Sequence, residues 1–284
     1  MKKYESLFQR YHNQPRKECF AFFPFDRKAG ETWETPFAAL VNLAKPEEWN
    51  FIREEFRRQN VRYPILYNYL NYTFKRLQDQ NKIVFNEKED GACFNTGLMT
   101  PDEKELFALF SKNHRADGSA DVNDWFFKGF FDSYADQLAQ FRNPLPALAT
   151  YVEDASELVL DTSFELDVNI GHILDDPDNQ ERLPVELRNN RNLALSAIEG
   201  ATRFLKQKVI RNYKVAIPQW YMPDQKIQLL LPLCIMSPEK ADLALVADKD
   251  KDAKLYRIRT ALRMDMAYSN ARLITRPDRE WLDP

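Results

Sequence analysis

The chain has 284 residues, 44% hydrophobic and 29% charged, with three widely separated cysteines (Cys19, Cys93, Cys234); that is an ordinary globular composition, long enough for a buried core, and it excludes a disulfide framework. Only 7 residues are glycine, and neither the dinucleotide-binding glycine fingerprint nor a P-loop is present, which excludes the two commonest phosphate cradles. The formal charge of −3 hides a separation of sign: net zero over 1–150, −9 over 151–200 and +6 over 201–284, so either two segments of the second half pack together or one of them binds an anion.

Taken in chain order, the amino terminus Met1-Lys-Lys-Tyr lacks a long apolar segment, and no 18-residue apolar run occurs after it. A cytoplasmic protein with no membrane contact is expected. The aromatic run Cys19–Phe25 reads as an arm anchored on a core. Phe37–Ala44 is apolar and helical in pattern. A second helix is expected from Pro46 through Glu48, Trp49, Ile52 and Phe56, with proline in its first turn. Pro64 opens a third, in which Ile65, Leu66, Tyr69, Thr73 and Leu77 share one stripe. Lys82–Phe85 and Ala92–Asn95 are short strand candidates around the turn at Asp90-Gly91. Thr100-Pro-Asp-Glu103 reads as a capping box that opens a helix through Phe110. An aromatic segment, Trp125–Phe141, precedes a break at Pro144 and Pro146.

The second half changes character. Residues 158–174 alternate between an apolar face and an acidic one bearing Asp161, Glu165 and Asp167, which predicts one or two strands. An acidic loop, Asp175–Asn179, and a helix over 186–211 come next. The clearest signal in the chain is Ile227–Ile235, where every odd position is a large aliphatic, the signature of a strand; Pro232 within it predicts a bulge or a local edge. Asp242–Val246 and Leu255–Met264 are further strands, and a last helix begins near Asp265. The expected fold is α+β: a helical, aromatic-rich region over 1–150, and a mostly antiparallel sheet with one or two helices over 151–284, either as two domains or as one continuous domain.

Arg257, Arg259 and Arg263 are the sharpest candidates for chemistry. Alternate residues on a strand stand about 7 Å apart, which suits successive phosphates, and a guanidinium offers a rigid donor fork to each. Tyr213, Trp220 and Tyr221 lie nearby in sequence as stacking surfaces. The competing reading pairs these arginines with the acidic strand in the same sheet. His172 is a candidate acid–base, with Arg182 and Lys214 as charge stabilisers. The three histidines share no metal-ligand spacing and the acidic loop lacks that of an EF-hand, so no metal and no cofactor is expected.

Several segments together, Asn68–Phe74, Phe94–Leu98, His172-Ile173 with Arg182–Pro184, Asn212–Gln219, Asp242–Val246 and Ala267–Ile274, resemble the bacterial family catalogued as domain of unknown function 3825, over roughly residues 20–282. The resemblance implies no activity. That such domains occur beside small RNA-binding modules tilts the expectation toward RNA or nucleotides. Polar residues inside the shared motifs become ligand-binding candidates: Asn95, Thr96, Gln219, Asn270 and Arg272, beside His172, Arg182 and Lys214. The resulting expectation is a protein that binds RNA or a nucleotide-like anion through a basic, aromatic surface of the C-terminal half. The alternatives are an enzyme acting on a nucleotide or phosphorylated substrate through His172, and an interaction scaffold whose apolar patch lies within 37–80.

Overall fold

The computed structural model describes residues 2–9, 16–52, 61–114, 122–142, 144–277 and 282. The chain divides into two compact units, Met1–Thr150 and Tyr151–Pro284. Each is built on a five-stranded mixed sheet, so the protein is α+β.

The first unit is less helical than its sequence predicts. Its strands are β1 (Ala21–Phe22), β2 (Val84–Phe85), β3 (Gly91–Met99), β4 (Glu105–Lys112) and β5 (Trp125–Asp132), in the order β1-β5-β4-β3-β2. Two α-helices accompany them, α1 (Thr35–Leu43) and α2 (Pro64–Asp79). Pro64 supplies the first position of α2, whose missing N–H costs nothing there. The helix buries Ile65, Leu66, Tyr69, Leu70, Phe74 and Leu77. Phe20, Phe23, Phe37, Phe74, Phe94 and Phe110 form a fully buried aromatic core.

The capping-box expectation at Thr100 is corrected here. Thr100 Oγ1 accepts from the Lys104 N–H at 3.1 Å within a turn, and the next element is strand β4 rather than a helix. Leu106 to Phe110 are all buried, because β4 is the middle strand of the sheet. A run buried on both faces loses its alternation and cannot be told from a helix by period. The helix expected after Pro46 is absent over 46–52, and the rest of it, including Phe56, lies outside the described residues.

In the second unit the strands are β6 (Glu165–Val168), β7 (Ile217–Tyr221), β8 (Lys226–Leu233), β9 (Leu243–Asp250) and β10 (Leu255–Leu262), ordered β6-β10-β9-β8-β7. The helices are α3 (Ile170–Asp175), α4 (Pro177–Arg182), α5 (Val185–Arg188), α6 (Arg191–Arg211) and α7 (Met264–Ala271). One face of the sheet (Leu229, Leu231, Leu233, Leu245, Tyr256, Ile258) packs on Ala194, Ile198, Leu205 and Val209 of α6. At roughly 1.5–3 kcal/mol for each large aliphatic fully buried, this layer makes a large hydrophobic contribution to the unit. Pro232 pairs with Ala244 of β9, whereas β7 pairs with β8 only as far as Leu230. The proline thus occupies a local edge, where a missing donor is tolerated.

The long alternation over 158–174 yields only four strand residues. Asn169 ends it: its side chain accepts from the His172 N–H at 3.0 Å and starts α3. Asp176 likewise caps α4 over Pro177, so the expected acidic loop is a helix start. Among the described residues, no helix is long and apolar enough to cross a membrane.

Candidate functional site

The three arginines are committed inside the fold. Arg257 donates from Nε and Nη2 to Asp250 Oδ2 at 3.0 and 2.7 Å. Arg259 donates to Asp167 Oδ2 at 2.7 Å and to the Asp167 carbonyl at 3.2 Å. β6 runs parallel beside β10 with Arg257 opposite Asp167, which puts the acidic strand next to the basic one. A register shift between Ile258 and Thr260 breaks the expected alternation. Arg263 lies past the last residue of β10, at the N-cap position of α7, and forks onto Asp265 at 3.0 and 2.9 Å. Lys226 extends the ladder to Asp248 at 2.7 Å and Asp224 at 3.1 Å. Charges alternate in sign across β8, β9, β10 and β6. The pairing has electrostatic consequences: the Ala253 N–H and the Arg257 guanidinium hold the Asp250 carboxyl below its ordinary value, and the Asp248 carboxylate raises the Lys226 ammonium.

The proposed acid–base trio does not converge. His172 is exposed on α3. Arg182 uses Nη1 on Asn179 Oδ1 at 3.0 Å and on the Ala261 carbonyl at 2.8 Å, tying α4 to β10. Asp175, one turn beyond His172, pairs with Arg191 in the first turn of α6. Lys214 lies just beyond the last turn of that same 21-residue helix, which is about 30 Å long. Catalysis would require hydrogen-bond reach.

The motif polar residues act as internal pins. Gln219 Nε2 donates to Gln228 Oε1 at 3.1 Å, and Asn270 Nδ2 donates to Gln219 Oε1 at 3.0 Å, a buried amide chain that joins α7 to β7 and β8. Arg272 closes α7 at its C-terminal end. Tyr221 is the exposed last residue of β7, and Trp220 packs edge-on against Tyr151. In the first unit, Asn95 Nδ2 donates to Glu105 and Thr96 Oγ1 to the Leu106 carbonyl at 2.6 Å. Both sit where the β3–β4 register slips. Gly97 completes that slip at φ +76°, and a Cβ on it would collide with the Tyr69 hydroxyl.

A surface on α6 and the turn after it, which shares only Lys214 and Tyr213 with the candidates from sequence, does combine charge and rings. Asn190 caps α6 by accepting from the Leu193 N–H at 3.0 Å. The helix then turns one stripe to the sheet and leaves the rest to solvent. Arg203, Lys206, Lys208, Arg211 and Lys214 lie in a stretch, 200–223, that contains no acidic residue. None of the five forms an ion pair with a described residue; Arg211 Nη1 donates to Gln207 instead. Among them stand Phe204, 77% exposed, Ile210, 70%, and Tyr213, 49%. The absence of acids across 200–223 was the available sequence signal. The helical period of 186–211 puts Leu205 and Val209 on one stripe with Leu187, Ala194, Ile198 and Ala201, and the fold buries that stripe; Phe204 and Ile210 lie off it and are exposed.

Beside this run lies a groove of about 500 Å³. Ala197, Gly200, Phe204 and Lys208 of α6 form one wall, at a spacing that keeps them on one flank. Pro232, Cys234, Ile235 and Met236 form the other. Asp242 Oδ2 fixes that second wall by accepting from the Ile235 and Met236 N–H groups at 2.7 and 2.8 Å. Among the described residues no cluster of three or more histidine, cysteine or acidic side chains is placed to hold a metal ion.

With this geometry in place, comparison with known proteins adds one finding. The family described as Domain of unknown function (DUF3825) matches residues 40–281. The chain belongs to this family. The matched range runs from α1 in the first unit through α7 in the second, so family membership takes in both units and all of α6. No curated protein and no solved structure matches the chain.

Proposed function

We propose that the protein binds RNA or a nucleotide-like polyanion along the C-terminal end of α6 and the turn after it, residues 203–214. The observation that carries this is the charge pattern: five cations with no ion-pair partner among the described residues, no intervening acid, and exposed aromatic side chains among them. Unpaired surface cations neutralise phosphates without first giving up an internal partner, and the release of counterions from the nucleic acid supplies the free energy. Exposed rings add sequence-tolerant stacking. Arg257, Arg259 and Arg263 contribute little to this reading, since each would have to break a carboxylate pair to engage a phosphate. The acidic pI of 5.8 is compatible with it, because the opposing charge is concentrated in 151–200. The scaffold alternative loses its stated support, since Leu43 is the one exposed large hydrophobic among the described residues of 37–80.

The test is fluorescence anisotropy of a short labelled single-stranded RNA at low and moderate salt. Lys208→Glu/Arg211→Glu is expected to weaken binding at least about tenfold and to flatten the salt dependence by about 0.7 for each phosphate no longer neutralised. Arg257→Ala/Arg259→Ala is expected to leave affinity unchanged. Absence of binding at low salt overturns the proposal, and collapse only in the β10 variant moves the surface to the strand.

A further inference from the structure

The groove beside α6 bears on what kind of strand this surface takes. Phe204 and Lys208 line it, and Arg211, three residues past Lys208, follows on the same flank of α6. At about 500 Å³ it falls within the size range of small-molecule sites, and no carboxylate lines it. Two features are costly unless something fills it. The Phe204 ring is left 77% in water. Gly200 sits inside a helix, where glycine costs about 1 kcal/mol relative to alanine. No packing demand explains that glycine, since a Cβ built there meets nothing within 4 Å. A side chain at this position would project into the open space of the groove.

Resting on the phosphate-binding reading above, we propose that the groove accepts an unpaired nucleobase, stacked on Phe204, while Lys208 and Arg211 hold the adjoining phosphates. A base paired in a duplex does not reach such a groove. The surface therefore selects single-stranded nucleic acid over a duplex of the same charge.

The experiment compares three ligands on the full chain: a labelled single-stranded RNA, the same-length strand with abasic residues, and the corresponding duplex. The intact strand is expected to bind about tenfold tighter than the abasic one, the worth of one stacked base. Phe204→Ala is expected to erase that difference while leaving affinity for the abasic strand unchanged. Gly200→Leu does the same by filling the groove, and it introduces a better helix former, so α6 is retained. Equal binding of the intact and abasic strands by the wild type overturns the groove proposal and leaves phosphate binding standing. A preference that survives Gly200→Leu also overturns it and places the stacking outside the groove. No binding by any strand overturns both readings.

Discussion

Asp250 shows how the sheet face of the second unit responds to pH. Its carboxylate accepts from the Ala253 N–H at 2.9 Å and from Arg257, and both favour the ionised form. A folded-state value held below the unfolded one, about 3.9, gives stability that is present above that pH and lost as the pH falls through the lower folded value. Lys226 has the opposite sign. Its ammonium is raised by Asp248, so its contribution is present below about 10.4 and lost as the pH rises past the higher folded value. Thermal melts of the wild type and Asp250→Asn from neutral pH down through about 4 and below are expected to converge, the wild type losing more of its Tm in acid. Parallel curves would show that the pair contributes nothing. Among the thiols, burial pushes Cys93 up to about 12 and also raises Cys19 and Cys234, so none is a reactive thiolate near neutral pH.

On the scale of single elements, α6 carries both packing and proposed binding. Its start depends on Asn190, whose side chain satisfies the Leu193 N–H. Asn190→Ala is expected to cost about 1 kcal/mol, read as a shift in the chemical-denaturation midpoint without a change in slope. Its effect on RNA affinity is expected to be small, because the binding stretch begins more than about three turns away. Loss of binding without loss of stability would place Asn190 in the interface. Elements with one apolar stripe were legible in advance: α2, α6 and β8 lie within a few residues of their expected spans. Elements whose pattern was interrupted by local capping were not. Asn169 and Asp176 turn an alternating run into α3 and α4 because a side-chain oxygen satisfies the first orphan N–H groups of each helix.

For the whole molecule, the two compact units each hold a core of their own. The cluster around Ile198, Leu231, Leu245 and Tyr256 is drawn from residues between Leu160 and Ala261. Residues 151–284 expressed alone are expected to unfold cooperatively in urea and to keep the RNA affinity of the full chain. A non-cooperative transition would show that the unit needs the first one to fold. Retained folding with lost affinity would place part of the binding surface in residues 1–150.

From sequence alone came the α+β class, the segregation of charge along the chain, the spans of the one-sided helices and the family resemblance. Each of these depends on local composition or on a period that a single element carries by itself. The side-chain partners came only with the tertiary structure. Arg257, Arg259 and Arg263 look like a phosphate-reading row until β6 and β9 bring Asp167 and Asp250 beside the first two and the start of α7 brings Asp265 beside Arg263. Helical period alone puts Leu205 on the buried stripe and leaves Phe204 off it, but that the ring stands open beside a groove walled by Pro232 to Met236 came only with the fold. A charge's availability and a ring's exposure depend on neighbours far apart in sequence, and those come together only when the sheet assembles.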